Sequence, residues 1–291
     1  MDKIIVICGP TAVGKTKLSI SLAKSLNGEI INADSTQIYK DMNIGTAKIT
    51  EDEKEGIPHH LFDVREISDI YTVYDYQKDC RKIIDEIKDR GKTPILVGGT
   101  GLYIKAALYN YEFNEEEIMY SYDEFTNEEL YKQLLEIDPE TIVHPNNRKR
   151  IERALTYYKN NNVPISSNEK SDKLLYGTIF IGLTAEREIL YEKINNRTDK
   201  MIENGLIDEA KKLYNLKIVP RALLTPICYK ELFLHFDGNI TLAEAIELIK
   251  QRSRKYAKRQ FTFFKNQLDI KWYEVDFEDF SNTIDKIKDE I

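Results

Sequence analysis

Short apolar runs punctuate the chain, and most are followed by a stretch with helical periodicity. Ile4-Ile5-Val6-Ile7-Cys8 shows no polar alternation, the pattern of a parallel strand buried on both faces. Leu18, Leu22 and Leu26 then recur at helical spacing, and Asn27-Gly28 marks a stop. Residues 29–33 form a second strand. Residues 40–71 read as loop with short elements. Thr72 opens a helix whose inner face carries Val73, Tyr76, Cys80, Ile83, Ile84 and Ile87, and Gly91 closes it. Strands return at 93–97, 176–183 and 271–275. Helices are expected over 186–204 and 206–216, with Gly205 between them, and from the capping box Thr241/Glu244 to Phe264. The acidic tail is expected to be a surface helix. From about Tyr109 to Lys173 the alternation stops. That segment starts acidic (Glu115-Glu116-Glu117) and has its own capping box, Thr126/Glu129. The pattern predicts an α/β core, a parallel sheet flanked by helices. The core is interrupted by a mainly helical insertion: 1–109 is its first part, 110–174 the insertion and 175–291 its second part.

The ends of the strands carry the candidate chemistry. After the first strand comes Gly9-Pro10-Thr11-Ala12-Val13-Gly14-Lys15-Thr16, a G-x-x-x-x-G-K-T loop opening a helix. Its glycines let successive N–H groups converge, the helix N-terminus adds positive potential, Lys15 adds a charge and Thr16 a hydroxyl for a magnesium ion. Such a loop binds a diphosphate or triphosphate without saying which. Asp34, with Ser35, Thr36 and Gln37, follows the second strand, where ligands of open α/β sheets sit. The strand 93–97 ends in Gly98-Gly99-Thr100-Gly101, not in the carboxylate that an ordinary P-loop ATPase uses for magnesium. The glycines allow close approach of a ligand or of backbone, and Thr100 offers a hydroxyl. His59-His60 lacks a third ligand nearby and reads as positioning or packing.

Composition changes the picture in one respect. The formal charge is −7, yet basic residues cluster. Between Ile249 and Leu268 lie Lys250, Arg252, Arg254, Lys255, Lys258, Arg259 and Lys265 with no acidic residue and with interleaved aromatics. A second cluster, Arg148, Lys149, Arg150 and Arg153, falls in the insertion. Both point to phosphates, and the first to nucleic acid. The scattered Cys8, Cys80 and Cys228 suggest neither a disulfide framework nor zinc. A cytoplasmic chain without membrane contact is expected.

In order along the chain these motifs resemble those of bacterial tRNA dimethylallyltransferases. The phosphate loop is similar to the family's G-P-T-A-S-G-K-T, and Asp34-Ser35-Thr36-Gln37-Ile38-Tyr39 to its D-S-M-Q-V-Y. Asn43-Ile44-Gly45-Thr46-Ala47-Lys48, Gly56-Ile57-Pro58-His59-His60 and Gly98-Gly99-Thr100-Gly101-Leu102-Tyr103 also match. Arg150-Ile151-Glu152-Arg153-Ala154-Leu155 resembles R-x-x-R-A-L, and Tyr256-Ala257-Lys258-Arg259-Gln260 resembles Y-A-K-R-Q. The family's A-I-G-Y-K-E stands here as Pro226-Ile227-Cys228-Tyr229-Lys230-Glu231, and its tryptophan after K-R-Q-x-T as Phe263.

The resemblance implies a nucleotide-kinase-like P-loop core and transfer of a dimethylallyl group from dimethylallyl diphosphate to N6 of adenine 37 in tRNA. It makes Asp34 the general base, with Lys15, Thr16 and Thr100 also catalytic. The loop Gly9–Thr16 and Arg254 would hold the diphosphate, and Thr16 a Mg2+ ion. The tRNA anticodon stem-loop would meet Asp34, Ser35, Thr36, Gln37, Thr100, Lys149, Arg150, Ile151, Glu152, Arg153, Lys258 and Arg259. A monomer is expected. Three alternatives remain open at this point: a small-metabolite P-loop kinase, a transferase that prenylates free AMP, and a noncatalytic RNA-binding protein. The Gly-Gly-Thr-Gly strand end argues against the first, and the basic helix and insertion against the second.

Overall fold

A computed structural model describes residues 3–111, 120–167, 173–218 and 220–291. The acidic run Glu115-Glu116-Glu117 lies outside the described residues. The chain divides into two compact units, one of Met1–Tyr109 with Leu174–Ile291, the other of Asn110–Lys173.

The larger unit begins with β1 (Ile4–Cys8), α1 (Lys15–Ser25), β2 (Gly28–Asn32), α2 (Glu51–Lys54), β3 (His59–His60), α3 (Val73–Asp89), β4 (Thr93–Val97) and α4 (Gly101–Leu108). The smaller unit holds α5 (Asn127–Ile137) and α6 (Arg148–Asn161). The larger unit resumes with β5 (Thr178–Thr184), α7 (Arg187–Glu203), α8 (Leu206–Asn215), α9 (Arg221–Leu224), α10 (Tyr229–Phe236), α11 (Leu242–Gln267), β6 (Lys271–Glu274) and α12 (Phe280–Asp289).

Among the described residues six strands form one sheet in the order β3-β2-β4-β1-β5-β6, and every pairing in it is parallel. β1 is buried along its whole length, as its unbroken apolar run requires in a sheet covered on both faces. Ile5 and Ile7 point to a core built with Leu18 and Leu22 of α1 and Phe280, Ile284 and Ile287 of α12. The tail is therefore not merely a surface helix: its apolar stripe closes the core beside α1. On the other side of the sheet Tyr76 of α3 stacks on Tyr103 of α4 at 4.0 Å and donates its hydroxyl to the Asn32 carbonyl.

Helix starts follow the sequence closely. Thr72 with Asp75, Thr126 with Glu129 and Thr241 with Glu244 all form reciprocal capping boxes. Gly205 takes φ 98°, which only glycine adopts cheaply, and separates α7 from α8. After α1 the left-handed residue is Asn27 (φ 50°), not Gly28, whose hydrogen instead admits the Ile95 side chain. His59 Nδ1 lies 2.7 Å from the Ile57 carbonyl oxygen. His60 joins Arg90 and Lys92 around the buried Glu29. Burial alone would raise that carboxyl, but hydrogen bonds from Arg90, Lys92 and His60 outweigh it and bring it to about 2.

In the smaller unit Leu130 and Leu134 of α5 and Ile151, Ala154 and Leu155 of α6 form a core with Tyr122.

Candidate active site

The phosphate loop closes on itself. Gly9 (φ 140°) and Gly14 (φ 98°) take conformations that L side chains rarely adopt, and a Cβ on Gly9 would lie 2.4 Å from the Leu183 carbonyl oxygen. Lys15 bends back, its Nζ donating to the carbonyls of Gly9 (3.0 Å) and Pro10 (2.8 Å). Burial, with repulsion from Arg197 next, lowers its pKa to about 8, against attraction from Asp34 and Cys8. Gly14 rests on the Phe280 ring, so α12 supports the loop from behind.

Asp34 sits where β2 ends. The Asn32 side chain accepts the Asp34 N–H (2.9 Å) and donates to the Asp34 and Leu61 carbonyls. Asp34 Oδ1 accepts from the Thr36 N–H (3.0 Å) and hydroxyl (2.7 Å). This is a turn geometry, and it holds one carboxylate oxygen while leaving the other for a ligand. Thr100 Oγ1 accepts the Ser35 N–H at 3.1 Å. Gln37 donates its amide to the carbonyls of Thr46 (3.0 Å) and Ala47 (3.2 Å). The turn carrying Thr46 is clamped in turn by Glu209, which accepts the N–H groups of Asn43, Ile44 and Gly45 and the Tyr229 hydroxyl.

Two cavities meet at these groups. One, of about 310 Å³, is lined by the loop from Thr11 to Thr16 and by Asp34, Gln37, Val97, Gly98 and Gly99. The other, of about 220 Å³, is lined among others by Ser35, Thr36, Met201, Cys228 and Arg259. Thr11, Asp34, Thr46, Arg197 and Tyr256 border both. A diphosphate on the loop and an acceptor in the second cavity would thus face each other across Asp34. Thr100 borders neither cavity: it stands behind Ser35 and beside Tyr256. The glycines of the β4 turn admit protein atoms. A Cβ on Gly98 would lie 2.2 Å from the Ala33 backbone, and one on Gly99 2.0 Å from the Gln260 amide nitrogen.

Arg197 is the residue that the sequence reading missed. Its guanidinium reaches the Thr11 hydroxyl at 3.3 Å. Burial lowers its pKa, and the facing Asp34 works in the opposite direction. The available signal was its position: Arg197 lies three residues after buried Ile194 on the inner face of α7, where a charge needs a reason. Arg254, the expected diphosphate ligand, is placed elsewhere. It donates to Asn195 Oδ1 (2.6 Å) and Glu247 (3.1 Å) and borders neither cavity.

The basic face of α11 is also smaller than its sequence suggests. Lys250 pairs with Asp199 at 2.6 Å, Arg252 with the fully buried Glu231, and Arg254 with Glu247. The opposing carboxylates come from α7, α10 and the preceding turns of α11, which a count along Ile249–Leu268 cannot see. Lys255, Lys258, Arg259 and Lys265 remain exposed and without an ion pair among the described residues. In α6, Arg148 is tied to Glu152 and to the carbonyls of Tyr122 and Phe125, and Ile151 is wholly buried. The Ile151 side chain is therefore inside the core and the Glu152 carboxylate is turned onto Arg148 while staying part-exposed, and Lys149, Arg150 and Arg153 are exposed.

Cys228 occupies a wall of the second cavity with φ 122° and ψ −59°, a conformation suited to glycine. Such strain costs about 1–3 kcal/mol. Cys228→Gly is expected to stabilise the protein by about 1 kcal/mol, net of the greater chain entropy of glycine in the unfolded state. Thermal denaturation checks this, and an unchanged or lowered Tm contradicts it.

The profile of the family described as IPP transferase matches residues 37–267. The tRNA dimethylallyltransferase of Anoxybacillus flavithermus is 49% identical over 282 residues, 94% of this chain and 91% of that protein. The Bacillus subtilis tRNA dimethylallyltransferase is 48% identical over 284 residues, 94% of this chain and 90% of that protein. The crystal structure of the tRNA isopentenylpyrophosphate transferase from Bacillus halodurans superposes with a TM-score of 0.75 at 43% identity, covering 100% of this chain and 97% of that one. A eukaryotic dimethylallyltransferase captured acting on tRNA gives a TM-score of 0.87 at 32% identity, covering 99% and 78%. With a carboxylate at the junction between its phosphate-loop cavity and a second cavity, and with this likeness over nearly its whole length, the chain belongs to the IPP transferase family.

Proposed function

We propose that this protein transfers the dimethylallyl group of dimethylallyl diphosphate to N6 of adenine 37 in tRNA. The observation that carries the reading is Asp34 at the junction between the phosphate-loop cavity and the second cavity. The loop amides, Lys15 and Arg197 hold the diphosphate. As the C1–O bond breaks, its electron pair stays on the diphosphate, where these cations and dipoles stabilise it. The N6 lone pair forms the new bond to C1, and the N6 proton passes to Asp34. An adenine must leave its stack to reach the second cavity. Thr100 keeps the Ser35 backbone, and with it the Asp34 turn, in place.

A hard oxygen donor on the loop cavity, the Thr16 hydroxyl, fits Mg2+. Among the described residues no group of three or more His, Cys, Asp or Glu forms a metal cage, so such an ion would be held mainly by diphosphate and water. Bound there, it would supply charge neutralisation for the leaving group.

Lys258 and Arg259 of α11 and Lys149, Arg150 and Arg153 of α6 contact tRNA phosphates in this reading. Neutralising Lys258 or Arg259 is expected to weaken all substrate tRNAs alike and to flatten the salt dependence by ~1 unit of log–log slope each. Unchanged affinity at low salt would make that face merely solvated. A working monomer is part of this reading. No helix among the described residues is long and apolar enough to cross a membrane, and the reaction is assigned to the cytoplasm, where tRNA is found.

A pH dependence follows from Lys15. Its pKa of about 8 in the free protein means that donor binding must restore or retain the proton. The donor diphosphate is fully ionised at that pH, so its affinity should fall as pH rises through 8, by up to ~10-fold per unit. Titration calorimetry with dimethylallyl diphosphate tests this; a flat profile from pH 7 to 9.5 would place Lys15 outside the contact.

The decisive experiment incubates unmodified tRNA with the protein, magnesium and dimethylallyl diphosphate. Mass spectrometry should find one dimethylallyl group on the anticodon-loop adenine. Absence of transfer together with metabolite-stimulated ATP hydrolysis would favour a kinase instead.

A further inference from the structure

We propose that Gln260 is the positioning residue that fixes the phosphate loop to the end of β4 and thereby sets the diphosphate site. The inference rests on the prenyl-transfer reading for the identity of the anion.

Gln260 comes from α11 and is only 5% exposed. Its carboxamide bridges two strand-end turns. Oε1 accepts the Thr11 N–H at 2.9 Å, and Nε2 donates to the Gly99 carbonyl at 3.1 Å. The Thr11 amide can only donate and the Gly99 carbonyl only accept, which fixes the amide orientation and excludes the flipped one. The bridge exists because position 99 is glycine: a Cβ there would lie 2.0 Å from Nε2.

What the bridge holds matters for the anion. Thr11 borders both cavities and receives the Arg197 guanidinium on its hydroxyl, so fixing the Thr11 backbone also fixes the anchor of Arg197. The Thr11 N–H is engaged by Gln260, which leaves the amides further along the loop for phosphate. One helical turn earlier, Tyr256 contacts both Gln260 and Thr100, and Thr100 holds Ser35. α11 thus braces the ends of β1, β2 and β4 from one side. A carboxylate would fail at this position on two counts: it cannot donate to Gly99, and it would set a negative charge on the wall of the anion cavity.

The test compares Gln260→Met, which keeps volume and removes both hydrogen bonds, with Gly99→Ala, which displaces the amide and leaves Gln260 in the sequence. Inorganic pyrophosphate affinity is read by calorimetry, independent of chemistry, alongside KM for each substrate. In both variants the pyrophosphate Kd and the donor KM should rise ~5- to 50-fold, the range for two buried groups losing their partner, while the KM for tRNA stays within about twofold. Gln260→Glu should weaken pyrophosphate further than Gln260→Met. Wild-type pyrophosphate affinity in folded Gln260→Met or Gly99→Ala would overturn the proposal, as would equal losses for donor and tRNA. If Gln260→Met does not fold, Gly99→Ala decides alone. Failure of the wild-type protein to prenylate tRNA, with pyrophosphate binding still dependent on Gln260, would refute the reaction and leave the positioning role standing.

Discussion

Asp34→Ala is expected to lower turnover by ~10²–10⁴-fold, the usual worth of a positioned general base. tRNA binding should stay within a few-fold, because phosphate contacts elsewhere supply most of the affinity. Asp34→Asn is the sharper test. Its side-chain oxygen can still accept from the Thr36 N–H and hydroxyl, so the turn after β2 survives. What it loses is basicity. If Asp34→Asn is nearly as slow as Asp34→Ala, the carboxylate acts on the proton. If either variant turns over at close to the wild-type rate, Asp34 serves only as a turn residue. Single-turnover kinetics at saturating donor and tRNA separates the chemical step from product release.

Most of the frame was legible because local physics decides it. The apolar run Ile4–Cys8 is a central parallel strand, and the capping boxes at Thr72, Thr126 and Thr241 start helices. The loop Gly9–Thr16 and the Asp34 turn lie at the carboxyl ends of β1 and β2, with β4 between them, and share a cavity. Tertiary pairing was hidden. Seven cations without an acid along Ile249–Leu268 read as one free face, yet Asp199, Glu231 and Glu247 engage three of them from outside that window. Ile151 and Glu152 lie inside a basic motif, but helical geometry turns one into a core and the other onto Arg148. The glycines at 98 and 99 signalled close approach correctly. Whether backbone, side chain or ligand came close depended on where α11 lies, which no local pattern encodes.

The same hidden pairing separates two candidate arginines for the phosphate loop. Arg254 sits in the most basic stretch of the sequence but is tied to Asn195 and Glu247. Arg197 sits in α7, outside both basic clusters, reaches Thr11 and borders both cavities. Arg197→Met, which keeps the apolar stem, should therefore lower kcat/KM for the donor by ~10²–10³-fold, the cost of removing one donor that stabilises developing negative charge. Arg254→Met should cost only a few-fold, in line with the modest worth of a partly exposed pair. Arg197→Lys should recover part of the loss, since it restores charge but not the planar fork that can bridge two oxygens. A large loss in Arg254→Met with wild-type kinetics in Arg197→Met would return the diphosphate contact to α11. A large loss in both, with tRNA and donor affected alike, would mean that the two arginines hold the fold of the site and not the anion.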